Sequence, residues 1–406
     1  ASYLNNAPLA KKSLIKRTKK WQRLGMLLLE RKMRKILSDF TARLVGTQPK
    51  KLLRAFLSKW KKTMNLETHI TFDDVLLVPQ YSDIRSRTEV SLSSELSEEL
   101  ELRVPIISAP MDTVCGEQMA ARMAEFGGLG IIHRYNTIEK QAKLVSSASE
   151  KGLKNVGAAI GITGDYVERA TALIEAGASV LCLDVAHGDH VLMHVAAHNI
   201  VDRFKTMAHI MAGNVATYTG ALTLAHIGVD SVRVGIGGGS ICSTRIQTGH
   251  GMPTLASVVD CVRAKEKFPN FKIIADGGIK TSGDMVKALA AGADFVMVGS
   301  LLAGTSEAPG DVIYKDGERY KSYRGMASKD AQMDWRGKTS SLEGVATVIP
   351  YKGPAFPVLE TLENGIRSGL SYSGVRNLVQ LRQDAKFIRQ TASGLAESNT
   401  HIMWRY

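Results

Sequence analysis

Short apolar runs recur along the chain after residue 64, each followed by a Gly, Asn or Asp turn and then by a helical pattern. Amphipathic segments such as Tyr166–Gly177 and Gly283–Gly292 separate most of these runs. The eight runs are Val104–Pro110, Gly128–His133, Val156–Gly161, Val180–Ala186, His209–Ala216, Ser231–Gly237, Lys272–Gly278 and Phe295–Leu301. A strand that alternates with a helix eight times predicts an α/β fold of the parallel (β/α)8 class, the TIM barrel.

The fold also predicts where the chemistry lies, because active sites of such barrels form at the C-terminal ends of the strands. Several of the predicted strands end in polar residues, glycine or methionine. The residues expected at this face are Ser108, Met111, His133, Asp184, Asn214, Gly237, Asp276 and Gly299.

Residues 1–63 have a different pattern and are predicted to form a basic, helical N-terminal extension, separate from a catalytic domain over residues 64–406. They contain 18 lysines and arginines and only two acidic residues, Glu30 and Asp39, whereas the whole chain has a net charge of +13. Apolar residues recur at helical spacing, at Leu24, Leu28, Met33, Ile36, Leu37, Phe40 and Leu44.

Three interpretations of the extension stay open. It is an amphipathic arm that packs on the body or on a neighbouring subunit. Alternatively, it binds RNA, DNA or another polyanion, because clustered lysines and arginines neutralise phosphates and release counterions. The third interpretation is an organelle presequence, such as a mitochondrial one, or a membrane-surface helix.

Composition narrows the class of protein. Of the 406 residues, 44 % are hydrophobic, which is typical of a globular core. No apolar run approaches the roughly 18–20 residues of a transmembrane helix. The cysteines show no CxxC spacing, so neither a zinc site nor a disulfide framework is expected, and a cytoplasmic location is predicted. The four are Cys115, Cys182, Cys242 and Cys261.

Residues 231–251, SVRVGIGGGSICSTRIQTGHG, carry the strongest chemical signal. Cys242 lies just past a glycine-rich turn at the end of an apolar strand, and Thr244 follows two residues later. Glycines let the backbone approach a phosphate closely, and successive N–H groups can cradle it. A thiol beside such a site can attack a bound nucleotide, so the pattern favours covalent chemistry on a mononucleotide over a buried, inert thiol.

The ends of the seventh and eighth strands support a phosphate site. Asp276-Gly277-Gly278 ends the seventh strand and Gly299-Ser300 ends the eighth. Loops after these two strands commonly bind phosphate in this fold. Asp276 is suited to accept hydrogen bonds from ribose hydroxyls, although a DGG sequence alone also fits a simple tight turn.

Six segments together resemble the IMP dehydrogenase/GMP reductase family. They are residues 71–78 (TFDDVLLV), 105–114 (PIISAPMDTV), 213–215 (GNV), 235–244 (GIGGGSICST), 275–278 (ADGG) and 323–328 (YRGMAS). The resemblance extends from residue 66 to about residue 401. It implies a (β/α)8 barrel, usually tetrameric, that binds IMP or GMP and a nicotinamide dinucleotide.

The resemblance also implies residue roles. Cys242 bonds covalently to purine C2, and Thr244 with Glu343 handles the attacking water or the leaving ammonia. The implied nucleotide contacts are Ser240, Gly277, Gly278, Gly299, Ser300 and Tyr323 for the phosphate, Asp276 for the ribose, Gly325, Met326 and Glu343 for the base, and Ser108, Met111 and Asn214 for the pocket wall. The nicotinamide side holds Asp184, Ala186 and His187. A potassium site is implied at Gly237, Gly239 and Cys242, completed by Glu397 and Ser398 of a neighbouring copy.

Two activities share this chemistry. GMP reductase releases ammonia from GMP and then uses NADPH to make IMP. IMP dehydrogenase oxidises IMP with NAD and then hydrolyses the intermediate, using a long flap with an Arg-Tyr pair and often an inserted pair of CBS modules. Residues Thr137–Val156 leave no room for such an insertion, and residues 327–342 are short for that flap. The resemblance makes Arg336 the candidate catalytic arginine, which would activate water in a dehydrogenase, but Gly337 follows it rather than tyrosine. GMP reductase is therefore the preferred prediction.

Two alternatives remain. Two features favour IMP dehydrogenase. The C-terminal Gly394–Ser398 segment, GLAES, resembles the potassium-site segment of dehydrogenases, and the sequences of residues 128–133 and 318–326 are also similar to dehydrogenases. The family also usually has proline where this chain has Gly238. That departure, with the basic extension, leaves a catalytically weak barrel acting as a scaffold subunit of a nucleic-acid-containing assembly as the third hypothesis.

Overall fold

The computed structural model describes residues 66–150, 155–398 and 400. The described residues from His69 onward belong to one compact unit. The predicted basic extension, residues 1–63, lies outside the described residues, and so does the choice among its three interpretations. In the part of the chain that is described, no helix has the length and apolar character that crossing a membrane requires.

Three short strands precede the barrel, β1 (Val75–Leu77), β2 (Ser94–Ser97) and β3 (Leu100–Leu102). Strands β2 and β3 pair antiparallel. Their leucines at positions 96, 100 and 102 are buried and pack against the residues that fill the barrel interior. This hairpin therefore closes the interior with apolar side chains.

Eight parallel strands form a closed barrel in which every neighbour in sequence is a neighbour in space. They are β4 (Ile106–Ser108), β5 (Leu129–Ile132), β6 (Val156–Ile160), β7 (Val180–Asp184), β8 (His209–Val215), β9 (Ser231–Val234), β10 (Lys272–Asp276) and β11 (Phe295–Val298). The ring closes where β11 pairs with β4. The predicted (β/α)8 fold is confirmed, and the strands are shorter than the apolar runs because each run continued into the turn that follows it.

Helices pack around the barrel and cover the outer faces of its strands. The helices are α1 (Glu117–Phe126), α2 (Ile138–Ser149), α3 (Tyr166–Glu175), α4 (Val191–Phe204), α5 (Tyr218–Ile227), α6 (Thr244–Thr248), α7 (Thr254–Val262), α8 (Ser282–Ala290), α9 (Lys329–Arg336), α10 (Ala355–Tyr372), α11 (Leu378–Asp384) and α12 (Ala392–Glu397). Their buried faces and the outward side chains of the strands form the larger of two apolar clusters.

Local signals explain where helices start and stop. Helix α8 begins after Thr281, whose hydroxyl accepts a hydrogen bond from the Asp284 N–H at 3.2 Å, while the Asp284 carboxylate accepts from the Thr281 N–H at 3.1 Å. This reciprocal cap satisfies two N–H groups that a helix start leaves unpaired. Helix α1 ends at Gly127, whose φ of 88° is a left-handed conformation that glycine adopts without a Cβ clash.

Two further small sheets lie outside the closed barrel. After β11, strands β12 (Ile313–Lys315), β13 (Glu318–Arg324) and β14 (Ala346–Pro350) form an antiparallel sheet, and α9 lies between the last two. Near the C-terminus, β15 (Phe387–Arg389) pairs antiparallel with β1. The predicted flap, residues 327–342, thus contains helix α9 and connects strands β13 and β14 of this sheet.

Candidate active site

A cavity of about 430 Å³ opens among the C-terminal ends of the barrel strands. Most of the residues that the sequence predicted for the site line this cavity. They are Met111, Asp184, Ala186, Asn214, Gly237, Gly239, Ser240, Cys242, Thr244, Asp276, Gly277, Gly278, Gly299, Ser300, Tyr323, Gly325, Met326, Arg336 and Glu343. The barrel therefore brings residues from positions 111 to 343 into one site, as the strand-end rule anticipates.

Ser108 and His187, which were predicted to contact the bound nucleotides, lie outside the cavity lining, and this corrects their predicted placement. Ser108 is fully buried, and its hydroxyl has no hydrogen-bond partner among the described residues. Side chains alternate along a strand, and those of Ile107 and Ala109 fill the barrel interior, so the side chain of Ser108 at the end of β4 faces the outer layer instead. His187 is exposed in the turn after β7, beyond the lining that Ala186 still reaches.

His133 also ends a strand but does not reach the cavity. It is 8 % exposed, and burial lowers the pKa of its imidazole to about 4, so it is uncharged at neutral pH. Glu397 and Ser398 are exposed at the end of α12. They were predicted to complete a potassium site in a neighbouring copy of the chain. The structure holds one copy, so this site stays a prediction.

Cys242 lies at the start of a hydrogen-bonded relay. Its thiol donates to Thr244 Oγ1 at 3.2 Å, and the Thr244 hydroxyl donates to Glu343 Oε2 at 2.9 Å. The backbone holds this geometry, because the Ser243 N–H donates to the Glu343 carbonyl at 2.9 Å and Cys242 bridges to Gly344. A proton leaving the sulfur therefore has a continuous path to a carboxylate.

The other three cysteines are unsuited to nucleophilic chemistry. Cys115, Cys182 and Cys261 are buried, whereas Cys242 is partly exposed to the cavity. Burial raises the pKa of Cys115 and of Cys182 to about 12, and it raises the pKa of Cys261 as well. The thiolate is the reactive form, so Cys242 is the one described thiol that is placed to react.

Loops after β9, β10 and β11 meet in the arrangement expected of a phosphate cradle. Ser240 Oγ lies 3.2 Å from Tyr323 Oη, and burial raises the pKa of Tyr323, so its hydroxyl stays protonated. Gly277 has a φ of 90°, and a Cβ there would lie 3.2 Å from the backbone nitrogen of Gly239. Glycine at this position keeps the two loops close, with their N–H groups free of side-chain cover.

The structure gives a steric reason for Gly238, the position at which the family usually has proline. A Cβ at Gly238 would lie 2.6 Å from Thr254 Oγ1, at the first residue of α7. Thr254 is 4 % exposed, and its hydroxyl has no hydrogen-bond partner among the described residues. The Thr254 side chain thus fills the volume that a side chain at position 238 would take.

A buried ion-pair network forms the floor of the cavity, centred on Arg233 in the middle of β9. Its guanidinium donates to Asp184 Oδ1 at 2.6 Å and to Asp276 Oδ2 at 2.9 Å, and Asn214 Nδ2 donates to the same Asp276 oxygen at 2.8 Å. Burial raises the pKa of Asp184, but the charges and hydrogen bonds of Arg233 and Arg134 outweigh it, and the net pKa is lowered.

Arg233 is a site residue that none of the sequence motifs indicated. It connects Asp184, predicted on the nicotinamide side, with Asp276, predicted on the ribose side. A signal was present in the sequence, because a charged residue inside the apolar strand SVRV must find a partner when it is buried. The sequence does not show that these partners are Asp184 and Asp276, so the buried charge alone could not place the arginine at the site.

Tyr135 is the second missed residue, and no local pattern in the sequence marks it. It lines the cavity, and its hydroxyl lies 3.5 Å from Nη2 of Arg336. Arg336 is the C-terminal residue of α9 and is exposed, and it also lines the cavity.

Comparison with known proteins shows the family to which the chain belongs. The model of the IMP dehydrogenase / GMP reductase domain matches residues 69–401. The chain is 35 % identical to an inosine-5'-monophosphate dehydrogenase of Nitrosopumilus maritimus, covering 83 % of this chain and 99 % of the relative. It is 32 % identical to a GMP reductase of Leishmania major, covering 82 % and 96 %.

A solved structure is also similar. It is a GMP reductase of Trypanosoma brucei, a cysteine-to-alanine variant in complex with guanosine 5'-monophosphate, with a TM-score of 0.79 and 30 % identity over 84 % of this chain and all of the other. The alignments to the Nitrosopumilus and Leishmania proteins run over 473 and 475 residues, more than this chain holds, so both relatives carry inserted residues. The chain belongs to the IMP dehydrogenase/GMP reductase family of NAD(P)-dependent oxidoreductases.

Proposed function

We propose that this protein is a GMP reductase, which converts GMP, NADPH and protons to IMP, ammonium and NADP⁺. The relay from Cys242 through Thr244 to Glu343 carries the proposal. Reductive deamination needs a sulfur nucleophile at purine C2 and a proton for the departing amino group. The relay offers both within 3.2 Å contacts, on the wall of one cavity.

The steps follow from this geometry. As the Cys242 sulfur forms a bond to C2, its proton passes through Thr244 to Glu343. The C2–N bond to the amino group then breaks as that nitrogen takes the proton back from Glu343 through Thr244. Asp184 and Ala186 would hold the nicotinamide of NADPH, which would supply the hydride that C2 takes. The C2–S bond then breaks, the electron pair returns to Cys242, and IMP leaves. General acid–base help of this kind contributes about 10²–10⁴-fold to a rate.

The nucleotide binds in this proposal with its phosphate in the cradle of Ser240, Gly277, Gly278, Gly299, Ser300 and Tyr323. Its ribose contacts Asp276, whose carboxylate is held by Arg233 and Asn214. The base contacts Gly325, Met326 and Glu343. The Trypanosoma structure, described with GMP, supports GMP as the ligand to try first.

IMP dehydrogenase is the second candidate, and one observation favours it. The sequence lacks a tyrosine after Arg336, but the fold brings Tyr135 to 3.5 Å from that guanidinium. An arginine–tyrosine pair of the kind that dehydrogenases use is thus assembled from two distant segments. The missing insertion no longer bears on the choice, because a reductase and a dehydrogenase relative both carry inserted residues.

Further parts of the proposal concern assembly and surroundings. The protein forms a homotetramer in the cytoplasm, and K⁺ binds at the carbonyls of Gly237, Gly239 and Cys242 with Glu397 and Ser398 of a neighbouring copy. Residues 1–63 bind nucleic acid or another polyanion. The scaffold hypothesis shares this last property but expects no turnover.

A paired assay tests the proposal. Purified full-length protein is given NADPH with GMP in one reaction and NAD with IMP in the other, each with and without K⁺. NADPH oxidation with release of ammonia is expected. NAD reduction alone would establish the dehydrogenase instead, and inactivity in both reactions would support the scaffold hypothesis.

A further inference from the structure

Tyr135 contacts two parts of the chain that frame the nucleotide-base region. It lies three residues beyond β5, partly buried in the cavity wall. Its hydroxyl donates to the Met326 carbonyl at 2.7 Å and lies 3.5 Å from Nη2 of Arg336. A phenol can donate one hydrogen bond and accept another, so both functions of this hydroxyl are engaged.

The Tyr135 ring forms a second attachment. It stacks on Trp335 of α9, with centroids 5.7 Å apart and an interplanar angle of 16°. The Arg134 guanidinium lies 5.4 Å from the Tyr135 ring, and that of Arg169 lies 5.9 Å from the Trp335 ring. Two stacked rings thus lie between two guanidinium groups, and each ring–ring or cation–ring contact is favourable.

The barrel side of the stack is firmly held. Arg169 is 4 % exposed, and its guanidinium donates to Gln141 Oε1 at 2.8 Å, to the Asn136 carbonyl at 3.0 Å and to Asp165 at 2.8 Å. These contacts come from α2, α3 and the turn that carries Tyr135. The stack therefore presents a fixed surface for α9 to dock on.

Segment 327–342 is braced internally, so a contact at one of its residues constrains the whole segment. Gln332 Nε2 donates to the carbonyls of Ala327 at 3.1 Å and Ser341 at 3.0 Å, and its Oε1 accepts from the Ser340 N–H at 2.7 Å. The two ends of the segment are thereby tied together around one side chain. Docking at Trp335 therefore fixes both neighbours of the segment, Met326 and Glu343.

We propose that Tyr135 is a positioning residue that docks segment 327–342 against the barrel and so orients Met326 and Glu343 toward the nucleotide base. The proposal rests on the proposed function only for the identity of the nucleotide. Tyr135 follows β5, and the Cys242 loop follows β9. These two strands are four places apart in the ring of eight, so the two loops start from opposite sides of the barrel.

The test separates the hydroxyl from the ring. Tyr135→Phe keeps the stack and removes both hydroxyl contacts, whereas Tyr135→Ala removes both attachments; Tyr81→Phe, at a side chain 90 % exposed, is the matched control. GMP affinity is measured by calorimetry, and deuterium uptake of segment 327–342 is measured with and without GMP. Tyr135→Phe is expected to weaken GMP binding about two- to tenfold, as for one lost hydrogen bond. Tyr135→Ala is expected to weaken it further and to speed exchange in the segment even without GMP.

The melting temperature distinguishes positioning from support of the fold. It is expected to stay at the wild-type value in Tyr135→Phe, because that variant leaves the apolar core intact. Unchanged affinity and exchange in both variants would overturn the proposal, and so would a melting temperature that falls in parallel with affinity. If the wild type binds no GMP, the proposed function fails, while exchange in the nucleotide-free variants still decides the role of Tyr135.

Discussion

The Thr244 hydroxyl donates a 2.9 Å hydrogen bond to the Glu343 carboxylate across a sequence separation of 99 residues. The contact joins the loop after β9 to the end of segment 327–342. It places a carboxylate one hydroxyl away from the Cys242 thiol, which donates its hydrogen bond to that same hydroxyl. Chemistry at the Cys242 sulfur thereby depends on Glu343, which lies far along the chain from β9 and its loop.

Removing the relay should slow deamination more than it weakens binding. Thr244→Val keeps the side-chain shape and removes the hydroxyl, so the rate of ammonia release from GMP in a single turnover should fall about 10²–10⁴-fold. The Thr244→Val/Glu343→Gln double variant should be little slower than the worse single variant, because the groups act as a unit. Thr171→Val, at an exposed position on α3, is the control. Multiplicative losses in the double variant would contradict a shared relay.

Alkylation should select one cysteine. Iodoacetamide is expected to modify Cys242 in the native protein and to abolish turnover in proportion, because the other three thiols are buried with raised pKa values. GMP should slow the reaction at least about tenfold, since a nucleotide in the cavity covers the sulfur. Peptide mass spectrometry reads the sites. Full alkylation of Cys242 with activity retained would exclude it as the nucleophile.

Arg336 should separate the two activities. If Arg336 activates water, Arg336→Ala should reduce any IMP oxidation about 100-fold or more and leave GMP reduction within about twofold, because reduction consumes no water. Lys338→Ala, in the same segment, is the control. Equal loss of both activities would show instead that Arg336 supports a step common to them.

The Gly238–Thr254 contact should be mutually exclusive with a side chain at position 238. Gly238→Ala is expected to weaken GMP binding and to cost about 1–3 kcal/mol of stability, as overpacking does. Adding Thr254→Ala should restore most of both losses, because it empties the space 2.6 Å from the new Cβ. Gly283→Ala, whose Cβ would meet only an ordinary 3.5 Å contact, is the control. No recovery in the double variant would mean that the loop needs glycine for another reason.

Stability should decline in mild acid through buried histidines. Burial lowers the pKa of His209 from 6.5 to about 4, so the unfolded chain binds a proton that the folded chain refuses. The free energy of unfolding should therefore fall as pH drops from about 6.5 to about 4, by about 1.4 kcal/mol per pH unit for each such histidine. Urea titrations at pH 7, 6 and 5 measure the slope. His209→Gln should flatten it by one histidine's share and exposed His250→Gln should not; identical slopes would contradict the assignment.

Much of the site could be predicted because its residues follow strands. Asp276 ends β10 and Gly299 directly follows β11, and the closed barrel sets all strand ends around one opening. Ser108 failed this rule because a strand end can point into the wall as well as into the cavity. His187 failed because its turn carries the side chain outward past Ala186.

The sequence by itself determined the barrel and the place of Cys242 within it. Alternating apolar runs, helical periodicity and glycine turns are local properties, and eight repeats of one unit leave a single closed architecture. Tertiary structure decided which distant groups meet: Glu343 with Thr244, Arg233 with both aspartates, and Trp335 with Tyr135. Those pairings arise because barrel closure brings separate loops to one rim, where buried charges and aromatic faces must find partners that no local pattern encodes.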